Sequence, residues 1–170
     1  MAMMREYQRD SEFKEKVVQI RRVTKVVKGG KKMGFRAVVV IGDLKNRVGL
    51  GIGKAAEVSA AIRKGVEAAK RSLLTIAEVS GTIPHEITGK FSASNVIIRP
   101  APRGTGVIAG GSVRTILELS GLKNIVAKSI GSANAINVAR ATLNALSLLK
   151  TEEQLAIERG KEIRVRHVEN

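Results

Sequence analysis

The chain has 170 residues, with 30 Lys and Arg against 15 Asp and Glu, a formal net charge of +15 and 44% hydrophobic residues. The hydrophobic fraction is sufficient for packed cores, and the excess of positive charge predicts a polyanionic partner, with nucleic acid favoured over an anionic membrane surface. The absence of cysteine excludes disulfides and thiolate metal sites, and no apolar run approaches the roughly 18 residues of a membrane span. We therefore expect a soluble intracellular protein without metal, cofactor or small-molecule substrate.

The first half of the chain predicts an antiparallel sheet followed by a helix. After a polar lead-in at residues 1–12, three stretches rich in β-branched residues read KVVQIRRVTKVV, FRAVVVIGD and RVGLGIG, which favours three consecutive strands. The connections between them contain Gly or Asn, which allow tight turns. In KAAEVSAAIRKGVEAAKRSLL the apolar residues recur at helical spacing. We expect a β-β-β-α unit over residues 13–77, with the helix on one face of the sheet and the other face free to present basic side chains.

The second half predicts an α/β domain over residues 78–150. A possible strand carries His85 on the same face as its apolar residues, so we expect a half-buried strand histidine and not a catalyst. The stretches NVIIRP and KNIVAKSI predict two further strands, and the helix between them is expected to have Ser112 as its N-cap and to stop at Gly121. A last helix in NAINVARATLNALSLL completes a β-α-β-α core, and residues 151–170 form a tail.

Gly49, Gly51 and Gly53 occupy every second position and are followed by Lys54. A nucleotide-binding P-loop needs four residues between its glycines and Ser or Thr after the lysine, and this segment has three residues and Ala55. We therefore expect that these glycines leave one face of a strand without side chains. Either a helix or a polyanion backbone could then approach that face closely.

Catalysis finds little support in the sequence. The glycine-rich stretch RGTGVIAGGSVR is explained equally well by an anion-binding nest or by turn geometry, and both readings stay open. The only aspartates are Asp10 and Asp43 and the only histidines are His85 and His167, so no nucleophile and base can be paired. We expect no catalytic residues and no enzyme activity.

The segment RRVTKVVKGGKKMGFRA carries many cations, no acid and a Gly-Gly pair. An array of Lys and Arg beside a hairpin turn predicts phosphate binding, because binding displaces condensed counterions. Few aromatic residues are present to stack on bases, so folded double-helical RNA is the favoured ligand and Phe35 is expected in a core. The predicted RNA-binding residues are Arg21, Arg22, Lys25, Lys28, Gly29, Gly30, Lys31, Lys32, Arg36, Arg47, Gly49, Gly51, Gly53 and Lys54.

The chain resembles the family of small ribosomal subunit protein five, in its bacterial, cyanobacterial or plastid form, in four long stretches: VVQIRRVTKVVKGGKKMGFRAVVVIGD, RVGLGIGKAAEV, PAPRGTGVIAGGSVRTILELSG and GSANAINVARAT. The resemblance implies an N-terminal domain like the double-stranded-RNA-binding fold and a C-terminal α/β domain with a left-handed crossover. It also implies binding of small-subunit rRNA at the junction of head and body, beside the channel through which mRNA enters. Small-subunit proteins four and eight are the implied neighbours, with protein three nearby.

The resemblance also assigns residues. The family's extended hairpin, which reaches the RNA of the head, maps onto Arg22, Thr24, Lys25, Val26, Val27, Lys28, Gly29 and Gly30. The contact with protein four, where changes affect decoding accuracy, maps onto Arg103, Gly104, Thr105, Gly106 and Arg114. Asn46 stands at a turn position where the family usually has Gly, and Asn tolerates the left-handed conformation.

We therefore expect a ribosomal protein of the bacterial cytoplasm or the plastid stroma that contributes to translational accuracy. Two alternatives remain open from the sequence. A free-standing regulator with a double-stranded-RNA-binding fold would bind RNA duplexes away from ribosomes. A nucleotide-dependent enzyme would bind ATP or NAD through the segment from Gly49 to Lys54.

Overall fold

The computed structural model describes residues 13–160, and within them the chain forms two four-stranded sheets and four helices. The first sheet has the order β1-β2-β3-β4, and all of its neighbouring strands are antiparallel. Helix α1 connects β3 to β4. The bounds are β1 Lys14–Val27, β2 Gly30–Gly42, β3 Arg47–Ala55, α1 Val58–Arg71 and β4 Leu73–Thr75.

The second sheet has the order β5-β6-β8-β7. β5, β6 and β8 are antiparallel neighbours, whereas β7 pairs in parallel with β8 and is joined to it through α2. The bounds are β5 Ile87–Phe91, β6 Ser94–Pro100, β7 Val107–Ile108, α2 Gly111–Ser120, β8 Ile125–Gly131, α3 Ala135–Ser147 and α4 Glu152–Arg159.

The predicted meander, its following helix and the α/β second half are confirmed, with differences in detail. The first sheet gains a fourth strand, because residues after α1 return to pair with β3. The strand at His85 begins only at Ile87, and helix α2 begins at Gly111 with Gly110 as its N-cap instead of Ser112. Gly121 ends α2 in a left-handed conformation, as predicted. The predicted lead-in at residues 1–12 and residues 161–170 of the tail lie outside the described residues.

Helix α1 lies unusually close to β3 because both elements present small residues to each other. A Cβ atom on Gly51 would overlap the carbonyl oxygen of Gly65, and one on Gly53 would overlap that of Ala61. Gly49 faces Ala69 in the same way. The structure thus decides between the two alternatives left open by the sequence, since the alternating glycines admit a helix and not a polyanion backbone.

The opposite face of the first sheet is not free, contrary to the expectation from the sequence. Val40 and Val48 point away from α1 and join the larger core, which also contains Ile116 and Leu117 of α2 and Ile98 of β6. The expectation of a free face is wrong because residues of the second half of the chain, which are distant in sequence, pack over it. One end of β2 is therefore buried on both faces, by α1 and by α2.

The turn between β2 and β3 caps the C-terminal end of α2. The backbone N–H of Leu44 donates to the carbonyl oxygen of Leu119 at 3.1 Å, and that of Asn46 donates to Ser120 at 2.9 Å. These carbonyls would otherwise lack partners at the helix end. Asn46 adopts a φ of 71°, the left-handed conformation predicted for it. The two halves of the chain are therefore fixed to each other by main-chain hydrogen bonds as well as by core packing.

Replacing Gly51 by Ala is expected to lower the free energy of unfolding by about 3 kcal/mol, because the new methyl group must displace the backbone of α1. Urea denaturation followed by circular dichroism measures the effect. Gly29→Ala is the matched control, since an added Cβ meets nothing within 4 Å there, and it should change stability by less than about 0.5 kcal/mol. Equal stability of the two variants would contradict the glycine contact.

Candidate nucleic-acid interface

The hairpin of β1 and β2 extends beyond the rest of the first sheet. β3 pairs with β2 only as far as Phe35, whereas β1 and β2 stay paired to Val27 and Gly30. Residues 23–34 therefore form a two-stranded ribbon, which we call the arm. At its tip the N–H of Gly29 donates to the carbonyl oxygen of Val27 at 2.9 Å. Apart from the half-buried Val23 and Gly34 at its base, the arm is exposed, as a surface that binds a large ligand must be.

One face of the arm and its base is formed by opposed cations. The register places Arg21, Arg36 and Lys54 directly opposite one another on three adjacent strands. Lys25 and Lys32 form a second opposed pair four residues farther out. Side chains directly opposite one another lie on the same face of a sheet, and like charges in such pairs repel. We call these five residues the basic face.

No acidic partner balances the basic face. None of its five cations takes part in an ion pair among residues 13–160, and the neutral side-chain amide of Gln19 lies 3.2 Å from Nε of Arg21. A shallow groove of about 490 Å³ lies at the base of the arm, and its lining combines Lys25, Lys32 and Lys54 with uncharged residues of the other face, among them Met33 and Phe35. The basic face is therefore a concentrated positive surface beside a largely uncharged groove.

The other face of the arm and its base is mixed. It carries Arg22, Thr24 and Lys31 together with the aliphatic side chains of Val26 and Met33, which are 73% and 63% exposed. The tip adds Lys28 between the two faces. The hairpin residues predicted from the resemblance therefore lie together on one protruding element.

Other predicted RNA-binding residues lie elsewhere. Gly49, Gly51 and Gly53 are buried against α1, so they present no surface to RNA, contrary to the prediction from the sequence. Phe35 packs against the smaller core formed by α1 and β2, which agrees with its expected role.

Arg47 differs from the cations of the arm because it is engaged within the protein. Its Nε donates to Oδ2 of the buried Asp43 at 2.6 Å, and its guanidinium lies 5.3 Å from the centre of the Phe13 ring. Burial of Asp43 raises the pKa of its carboxyl group, but hydrogen bonds from Arg47 and from the N–H of Lys45 outweigh this and hold the pKa below its usual value. Arg47 and Asp43 therefore stabilise the β2–β3 turn, and we do not assign Arg47 to the RNA surface.

The loop predicted to contact protein four is held by a side chain that the sequence did not single out. Oδ1 of Asn124 accepts hydrogen bonds from the N–H groups of Gly104 at 3.0 Å and Gly106 at 3.3 Å. Both glycines have positive φ, at 92° and 74°. The loop thus presents Arg103 to solvent from a fixed backbone, with Thr105 bonded to the carbonyl of Pro102. An Asn just before a strand carries no distinctive sequence signal, which is why it was missed.

Arg114, the other predicted protein-contact residue, lies on α2. Its Nε donates to Glu118 at 2.7 Å, and Lys16 of β1 approaches the same carboxylate at 3.0 Å. The hydrogen bonds from Arg114 and Lys16 lower the pKa of Glu118 below its usual value. Arg114 keeps 59% of its side chain exposed, so it can still meet a partner.

The described part of the chain contains neither a metal-binding cluster nor a membrane-spanning helix. Among residues 13–160 no three His, Asp or Glu side chains lie close enough together to hold a metal ion. No helix within the same residues has the length and apolar content needed to cross a membrane. The arm, with its unbalanced cations, is instead typical of proteins that bind a polyanion.

Comparison with known proteins identifies the family. Two family models match, "Ribosomal protein S5, N-terminal domain" over residues 13–77 and "Ribosomal protein S5, C-terminal domain" over residues 89–159. The chain belongs to the ribosomal protein S5 family. This is a family of structural ribosomal proteins, so the chain is not an enzyme, and the predicted resemblance is confirmed.

Several relatives carry the name small ribosomal subunit protein uS5. The protein of Gloeobacter violaceus is 55% identical over 154 residues, covering 90% of this chain and 69% of the relative. That of Acaryochloris marina is 53% identical over 160 residues, covering 94% and 90%. That of Treponema pallidum is 54% identical over 153 residues, covering 90% and 89%.

Replacing Lys32 by Glu is expected to stabilise the arm of the isolated protein, because it converts the repulsive pair with Lys25 into an attractive one worth about 0.5–1 kcal/mol. Amide hydrogen exchange in the arm should slow about two- to fivefold at low salt and return toward the wild-type rate at 1 M salt. Lys32→Gln, which removes only the repulsion, should give a smaller effect. Faster exchange in Lys32→Glu would show that the two cations do not repel.

Proposed function

We propose that this protein is a structural constituent of the small ribosomal subunit and that its basic face binds phosphates of the small-subunit rRNA. The observation that carries the proposal is the set of opposed cations on the basic face, which destabilise the hairpin unless an anion lies between or above them. Because the chain belongs to a family of ribosomal proteins, ribosomal RNA is the polyanion that we propose as its ligand.

The geometry of the basic face suits a folded RNA backbone. Its two rows lie four residues apart along the strands, or about 13 Å at the usual rise of about 3.3 Å per residue. Cations in adjacent strands lie about 5 Å apart. A patch of this size can reach several neighbouring phosphates, and phosphate contacts position a protein without reading sequence. No aromatic side chain lies on the basic face, which favours recognition of shape and phosphate over base stacking.

We further propose the finer placement implied by the resemblance. The arm would contact rRNA where head and body of the subunit meet, and the protein would lie beside the channel through which mRNA enters. Proteins four and eight would be its neighbours, with protein three nearby. The loop at residues 103–106 and Arg114 would contact protein four, and the fixed backbone of that loop supports a role in holding a defined interface.

The salt dependence of RNA binding tests the basic face. Lys25→Ala with Lys32→Ala should weaken binding to small-subunit rRNA and reduce the slope of log K against log salt concentration by about 1.4–1.8, since each neutralised phosphate contributes about 0.7–0.9. Filter binding across a range of KCl concentrations measures the slope.

The matched control removes two exposed cations from α1, with Arg63→Ala and Lys64→Ala, and should leave the slope nearly unchanged. An unchanged slope in the arm variant would contradict the proposal. Equally tight binding to arbitrary RNA duplexes, with no preference for the ribosomal RNA, would instead favour a free-standing RNA-binding regulator.

Replacing Gly104 by Arg is expected to raise misreading at least twofold in cells in which this chain supplies the ribosomal protein, because a large cation would alter the proposed contact with protein four. A stop-codon readthrough reporter measures the error rate. Gly104→Ala is the control, because both substitutions meet the same strain at φ 92° while no atom lies within 4 Å of an added Cβ. Equal error rates in the two variants would assign the effect to backbone strain and remove this loop from the interface.

A further inference from the structure

One edge of β2 has no neighbouring strand along the arm. β3 pairs with β2 only as far as Phe35, whose partner is Ala55, whereas β1 stays paired with the other edge of β2 to the tip. No strand among residues 13–160 takes the place of β3 beyond that point. The groove at the base of the arm lies at this free edge, because Met33, Ala55 and Ala56 all line it.

The register shows which main-chain groups point to the free edge. Residues along a strand direct their N–H and C=O groups alternately to the two sides. The N–H of Asp43, directly after β2, donates to the carbonyl oxygen of Arg47 at the start of β3 at 3.2 Å, so the odd-numbered residues of β2 point toward β3. At the tip, Gly30 is paired with Val27 of β1, which agrees with even-numbered residues pointing the other way. Met33 therefore presents one N–H donor and one C=O acceptor at the free edge.

The side chains of the groove differ on its two sides. Lys25, Lys32 and Lys54 belong to the basic face, whereas Met33 and Phe35 lie on the other face of the ribbon. The lining contains no acidic residue. Its volume of about 490 Å³ is within the range of sites that hold a small organic ligand. The groove therefore suits an anionic ligand with a flat polar edge and an apolar body.

The occupant should be part of the ligand of the basic face, because the three lysines of the groove are shared with that face. A strand from a second copy of this chain, with a net charge of +15, would be repelled, and lysines beside a free edge oppose pairing with another strand. RNA is recognised mainly at unpaired bases, through hydrogen bonds to their Watson–Crick edges. Each of these edges has a donor next to an acceptor, which matches the N–H and C=O of Met33.

We propose that the groove holds one unpaired nucleotide of the small-subunit rRNA. The base is hydrogen-bonded to the main-chain N–H and C=O of Met33, and the phosphates beside it lie against Lys32 and Lys54. The inference rests on the proposed function, and it adds the recognition of one base to a surface that otherwise contacts phosphates. A strand edge performs this recognition, and no aromatic stacking platform is needed.

Proline at position 33 tests the main-chain contact. Proline lacks the N–H and is tolerated in an edge strand where that N–H is unpaired, so Met33→Pro removes the donor of the free edge and keeps the pairing of β1 with β2. Met33→Ala is the matched control, because it loses the side chain and keeps the N–H. Filter binding should show that Met33→Pro binds small-subunit rRNA about two- to tenfold more weakly than Met33→Ala, the effect of one lost hydrogen bond. The salt slope should be the same in both variants, since no phosphate contact is lost. Equal affinities would overturn the proposed contact.

Chemical probing of the complex identifies the base. Dimethyl sulfate and a water-soluble carbodiimide together modify the Watson–Crick edges of all four unpaired bases, and hydroxyl radicals report the exposure of the backbone. The wild-type protein should protect one unpaired base, and saturating Met33→Pro should restore its reactivity while the surrounding backbone stays protected. Ala56→Leu is the second variant: it fills the groove from an exposed position outside the arm and should expose the same base even if Met33→Pro does not fold.

The adverse outcomes are distinct. A protected backbone without any protected unpaired base would overturn the nucleotide site and leave the proposed phosphate binding intact. No protection of base or backbone by the wild-type protein would contradict the proposed function, and the nucleotide site with it. In assembled subunits, p-benzoylphenylalanine in place of Met33 should cross-link to rRNA. A cross-link to a protein instead would assign the free edge to a protein strand and overturn the proposal.

Discussion

The contact between α1 and β3 is the constraint on which the arrangement of the first sheet depends. Gly51, Gly53 and Gly65 allow backbone to meet backbone, so α1 lies against β3 and covers Val39 and Ile41 of β2 on the same face. The helix begins only at Val58, after the end of β3. The hairpin beyond that point therefore lies outside the cover of the helix, which leaves both of its faces available to a ligand.

The position of the arm relative to the second half of the chain is fixed at the other end of β2. There Val40 packs against α2, and the β2–β3 turn donates two main-chain hydrogen bonds to the last carbonyls of that helix. Asp43 holds the turn by accepting hydrogen bonds from Arg47 and from the N–H of Lys45. β2 extends from this anchored turn to the tip of the arm. The buried part of β2 and its neighbouring strands therefore support the basic face. Such a support can hold a phosphate-binding surface in one orientation before RNA is bound.

The sequence predicted the elements whose signal is local and failed where the answer depends on distant residues. Strand alternation and the helical stripe of α1 identify the first unit, and Gly121 marks the end of α2. The cover over Val40 could not be foreseen, because it comes from α2, about 70 residues farther along the chain by sequence number. The alternating glycines were compatible with two interpretations, because the sequence pattern of a strand face without side chains is the same whether a helix or a ligand packs against it. The cations of the arm were found from charge alone, whereas their opposition needed the register.

The strand register and the ion pairs also distinguish cations that stabilise the fold from cations that remain available to a ligand. Arg47, Arg114 and Lys16 look like the basic residues of the arm in the sequence, but each meets a carboxylate in the structure. Lys25 and Lys32 meet each other instead. Opposed like charges destabilise a hairpin by up to about 1 kcal/mol per pair. The main-chain pairing of β1 and β2 and the packing of the buried end of β2 offset this destabilisation. Binding of a polyanion removes this repulsion and releases counterions at the same time. The arm is therefore less favourable in the free protein than in a complex with a polyanion, and under the proposed function that difference adds to its affinity for RNA.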